Sequence, residues 1–154
     1  MGDLKIIVEE VHIQSAFEQI HQGNMEKVMA QFSTEQRALL TYIFLMQEKL
    51  EFEDDFELLL LLSTSIWLSF KAAFENFPSI TEDKLMEVAN GYMEKLKAEE
   101  APLSGEHPQM ELLAFAEQMI KNHMEDRPEM DLKSQSIVMT TAHIVVDALH
   151  QTIN

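Results

Sequence analysis

An all-α fold, a single-domain bundle of five to six helices spanning 1–154, is what this sequence predicts, and three observations carry that expectation. Apolar residues recur three and four positions apart over most of the chain. The four Gly and four Pro fall at intervals that suit helix ends. The one β-rich stretch, Leu4, Ile6, Ile7 and Val8, finds no second strand to pair with. A chain of 154 residues can hold a core without staples, hiding roughly 70% of the surface its unfolded form exposes.

The first segment carries two patterns. Leu4, Ile6, Ile7 and Val8 form a stripe with Val11 that falls out of phase with Ile13, Phe17 and Ile20, which suits a helix that changes partners or a short extended arm over residues 1–8. The helix is the preferred reading, and Gly23-Asn24 closes it. Ser33-Thr34-Glu35-Gln36 has the form of a capping box, in which the hydroxyl and the amide each satisfy a backbone donor, and helical spacing then runs through Leu39, Leu40, Ile43, Phe44 and Leu50. A tight break is expected within 51–57, with Asp54 and Glu57 opening the next helix. That helix, with Leu58 to Leu62, Ile66, Trp67, Leu68, Phe70 and Phe74, is apolar around most of its circumference, the pattern of a central buried helix. Its thirteen-residue apolar stretch, Leu58 to Phe70, falls short of the ~20 residues a membrane span needs.

The helix stops before Pro78. Ser79-Ile80-Thr81-Glu82 is a second capping-box pattern, opening a polar helix through Leu85, Val88, Ala89, Tyr92 and Leu96, whose narrow apolar stripe places it on the outside. Residues 101–108, from Ala101-Pro102 to His107-Pro108, are the clearest loop. Pro108 suits the first turn of a helix carrying Leu112, Leu113, Ala116, Met119, Ile120 and His123, which Arg127-Pro128 interrupts. Asp131 is positioned to cap a final helix reaching close to Asn154.

Eleven Lys and Arg against 27 Asp and Glu give a net charge of −16, a field that repels phosphate backbones and anionic lipid and so argues against nucleic-acid and membrane roles. Acids at helix starts, among them Glu35, Asp54, Asp55, Glu82, Asp83 and Asp131, complement helix dipoles and absorb part of this surplus. The remainder exceeds what solubility asks and suits a basic partner or a DNA-mimicking role. With no Cys there are no disulfides, thiolate metal sites or cysteine nucleophiles, and with no basic or long apolar leader the expected location is the cytoplasm. Ile6 stands where a myristoylation signal wants Ser or Thr.

The best ligand-like spacing is His143, Asp147 and His150, at i, i+4 and i+7 within about 60° on one helix face. Such a face can ligate zinc, iron or another divalent metal. Ser136, Thr140, Gln151 and Asn154 share the arc, however, so the trio equally reads as the solvated side of an amphipathic helix. Glu18 and His21 form one Glu-x-x-His pair, of which di-metal carboxylate bundles need two, and His123 on an apolar stripe reads as a core or boundary residue. No Gly-x-Ser-x-Gly elbow and no Gly-rich phosphate loop is present, and Ser63, Ser65 and Ser69 read as packing residues bonded one turn back.

Met86, Met93, Met110, Met119, Met124, Met130 and Met139 crowd the second half of the chain, as core filler or as an adaptable groove. The expected function is a non-enzymatic, homo-oligomeric interaction or regulatory protein acting through an acidic surface or an apolar helical groove. The alternatives are a divalent-metal site joining His143, Asp147 and His150 to Glu18 and His21, with metal-dependent catalysis as its extension, and a small-ligand pocket lined by Met and Phe.

Overall fold

Two long helices, α4 (Glu53–Ala73) and α7 (Leu132–Ile153), lie against each other at the centre of the bundle. Five shorter helices surround them: α1 (Glu10–Gln22), α2 (Met25–Glu35), α3 (Arg37–Gln47), α5 (Glu82–Lys97) and α6 (Met110–Asp126). This computed structural model describes residues 7–23, 25–97 and 109–153, and of residues 93 and 95–97 only the backbone. The expected loop at 101–108, most of the expected arm, and the side chains of Met93 and Leu96 lie outside the described residues. Among the described residues there is no strand.

Among the described residues the helix count is seven, one or two above the expected five to six, and α2 is the addition. Met25–Glu35 buries only Val28 and Phe32, too few apolar positions to announce a helix of its own. It is held instead by its last turns. The Phe32 ring stacks on Trp67 of α4 at 4.8 Å, and Glu35 pairs with Lys71 at 2.9 Å, whose ammonium also lies 4.9 Å from the Trp67 ring centroid.

The α2–α3 break falls at Gln36, so the proposed Ser33 capping box does not form: Ser33 and Thr34 are helical, and the Thr34 hydroxyl donates to the Ala30 carbonyl. Gln36 is fully buried and serves another purpose. Its amide nitrogen donates to the Pro78 carbonyl and its amide oxygen accepts from the Ile80 N–H, both at 2.9 Å. The second proposed capping box is displaced by two residues. Thr81 caps α5 by accepting from the Lys84 N–H, while the Ser79 hydroxyl donates to the Glu35 carbonyl. The break before α4 lies where expected, but Phe52 rather than Asp54 holds the N-cap position. Asp131 does cap α7, accepting from the Ser134 N–H at 2.7 Å, and this bond holds its carboxyl below the ordinary range.

The first helix begins at Glu10, so residues 7–9 correct the helical reading of the β-rich stretch. Val8 is buried, and its N–H donates to the Gln109 side-chain oxygen at 2.9 Å. At the other end of α1, a Cβ on Gly23 would stand 2.4 Å from the Gln19 carbonyl oxygen, which is why glycine ends this helix.

Helix α4 is packed by α1, α3, α6 and α7 and buries thirteen residues, Trp67 among them. At 21 residues it is long and apolar enough, by length and composition, to cross a membrane; 67% of that window is buried in the bundle. Its hydroxyls follow the expected back-bonding at Ser65 and Ser69, which donate to the Leu61 and Ser65 carbonyls. Ser63 differs: its buried oxygen has no partner among the described residues.

Candidate functional site

The α7 trio is not a wet face. His143 and His150 are buried and Asp147 is half-buried, because α5 and α6 cover the side of α7 that α4 leaves open. Tyr92 of α5 donates its hydroxyl to Asp147, and the His143 ring lies 6.4 Å from the Tyr92 ring. Burial, then the hydrogen bond and negative charge of Asp147, push the Tyr92 phenol well above its ordinary range. His150 Nδ1 lies 3.0 Å from the Gln109 amide nitrogen, and Gln109 holds Val8 with its other end. The arc that the sequence presents as solvated is thus a polar seam joining α5, the N-terminal segment and the start of α6 to α7.

Glu18 and His21 sit elsewhere. Helix α1 packs on α4 with smaller contacts to α2 and α6, and the pair faces a groove between α1 and α6. Among the described residues, no three His, Asp or Glu side chains gather as a metal-holding group. The two halves of the expected metal site therefore belong to separate surroundings.

The α1/α6 groove encloses about 620 Å³. Ile13, Phe17, Ala114 and Phe115 supply its apolar lining, with the two phenylalanine rings edge to face at 6.0 Å. The His21 ring lies 4.5 Å from that of Phe17. Glu10, Glu18 and Glu111 stand around this lining, and none of them makes an ion pair among the described residues. Helical spacing explains the arrangement. Ile13 and Phe17 are one turn apart on α1, while Gln14, Glu18 and His21 continue the neighbouring stripe, so one helix supplies both lining and rim.

A second polar cluster was not legible as a site. Asp55, fully buried in the first turn of α4, accepts at one carboxylate oxygen from Arg127 at 2.5 Å and lies 2.9 Å from His123 Nε2. Its other oxygen, Oδ2, is buried without a hydrogen-bond partner among the described residues. Arg127 also pairs with Glu129 at 3.1 Å and lies over the Phe52 ring at 4.7 Å. The acid stands at a helix N-terminus and both bases at a helix C-terminus, so each complements its own helix dipole before they meet. The sequence signal was the pairing of Asp55 with His123 and Arg127 across 68 and 72 positions, which no local pattern reveals.

The methionine side chains among the described residues do not form a groove. Met130 is buried, Met119, Met124 and Met139 pack against the core, and the exposed Met86 and Met110 lie on different helices. No family model, curated protein or solved structure matches the chain, so its function is read from this geometry.

Proposed function

We propose that this chain is a non-enzymatic helical interaction protein that holds a basic, amphipathic segment of a partner protein in the groove between α1 and α6. The observation that carries the reading is the combination of an apolar lining, from Ile13, Phe17 and Phe115, with three carboxylates, Glu10, Glu18 and Glu111, that make no ion pair among the described residues. An amphipathic helix laid into such a groove buries its apolar anchors on the aromatic rings and sets Lys or Arg against the rim. The chain's charge of −16 draws such a partner in from a distance and repels acidic competitors.

The test is titration calorimetry of the whole chain with a synthetic helical peptide carrying Leu at i, i+4 and i+7 and Lys on the flanks. Expected is saturable binding to wild type, none with the same peptide carrying Glu for Lys, and a loss of about tenfold in the Glu10→Gln, Glu18→Gln, Glu111→Gln triple variant, taking a few tenths to 1 kcal/mol per exposed pair. Phe115→Ala should weaken binding by a similar factor, with helical circular dichroism unchanged. Absence of binding to wild type, or equal affinity in the triple variant, overturns the reading.

A further inference from the structure

The opposite kind of surface lies between α3 and α5. A cavity of about 430 Å³ opens there, with buried Ile80 and Leu85 within it and Leu45 and Met86 on its two lips. Leu45 is 58% exposed and Met86 44%, which sets two large apolar side chains on the lips of one cleft. The rim carries both signs. Arg37 opens α3 and Glu82 opens α5, and Gln36, bonded to Pro78 and Ile80, brings these two helix starts together. Neither Arg37 nor Glu82 makes an ion pair among the described residues.

From this the geometry points to a second copy of the same chain as the occupant: two molecules pair through their α3/α5 faces about a twofold axis passing between Arg37 and Glu82. A twofold axis sets each residue of the patch against its counterpart, so Arg37 of each copy meets Glu82 of the other. A rim of one sign repels itself under that operation, and this one attracts itself. For a chain of charge −16, a face of balanced charge is also where two copies approach with least repulsion. The face is separate from the α1/α6 groove, and the two readings stand or fall independently.

The test is the mass of the whole chain by sedimentation equilibrium. Wild type is expected to dimerise, and Leu45→Lys to be monomeric with unchanged helical circular dichroism and unchanged affinity for the basic peptide. Arg37→Glu and Glu82→Arg should each weaken the dimer about tenfold, since each sets like charges across the axis at both contacts. Mixing these two variants in equal amounts should restore it, because the mixed pair sets opposite charges at both contacts, a result that no effect within one chain produces. The proposal is overturned by a wild type that stays monomeric up to about 1 mM, by a dimer that Leu45→Lys leaves intact, or by a mixture no tighter than either variant alone.

Discussion

The α1/α6 groove and the α3/α5 cavity are both clefts between helices with apolar linings, and they differ in their rims. The first is edged by Glu10, Glu18 and Glu111, the second by Arg37 and Glu82. An apolar lining supplies adhesion to almost any greasy surface. On the two proposals made above, the charges around it decide whether the occupant is a basic partner segment or another copy of the chain.

The sharpest way to break this contrast is to loosen the bundle that carries both faces. Replacing buried Asp55 removes the acceptor shared by His123 and Arg127. Asp55→Ala should cost about 3 kcal/mol, the low end for breaking a buried pair, because His123 and Arg127 keep 17% and 11% of their side-chain surface in water. Urea denaturation measures this. If the midpoint is unmoved, α4 and α6 are joined by packing alone and the two faces need not respond together.

Salt should sharpen the contrast. At 1 M the Debye length shrinks to about 3 Å, which strips the screened part of three carboxylate contacts and weakens peptide binding about tenfold. Dimer formation should stay level or strengthen, because the same salt screens the repulsion between two chains of charge −16. Calorimetry and sedimentation at two ionic strengths read both trends, and a parallel fall would refute the assignment of distinct rims.

The smallest effect concerns the seam beside α7, which touches neither face. The Tyr92 phenol is raised in the fold by burial and by Asp147. Stability from a raised group is fully present below the unfolded phenol value of about 10 and is lost as pH climbs toward the folded one. Phenolate absorbance should therefore appear above the ordinary tyrosine range and coincide with loss of helical signal. Tyr92→Phe should cost about 1 kcal/mol at neutral pH and leave peptide affinity and dimer mass unchanged.

How much of this was legible beforehand depended on whether the cause was local. Gly23, Pro78 and Arg127-Pro128 mark real ends because a chain punctuates itself through its own backbone, and Asp131 caps α7 because its partner is three residues away. Ser33 and Ser79 carried the same pattern and failed, since Gln36 and Thr81 offered better bonds once tertiary neighbours were present. The burial of His143 and His150 was hidden for a similar reason. Their arc of α7 is polar enough to read as wet, and the helices that cover it come from other parts of the chain. Glu18 and His21 both line the α1/α6 groove, but spacing within one helix says nothing about which helix stands opposite. Glu82 reads only as a helix-start acid and Arg37 carries no pattern, because the rim they share is made by two positions 45 residues apart.

Gln36 makes one chemical distinction consequential. Its amide gives a proton at one end and takes one at the other, riveting the start of α3 to the strip of chain that launches α5. A glutamate of the same shape, when ionised, still takes the Ile80 proton but offers none to Pro78. The width of the α3/α5 opening, and with it the fit of anything seated there, is thereby tied to a single nitrogen beneath the surface.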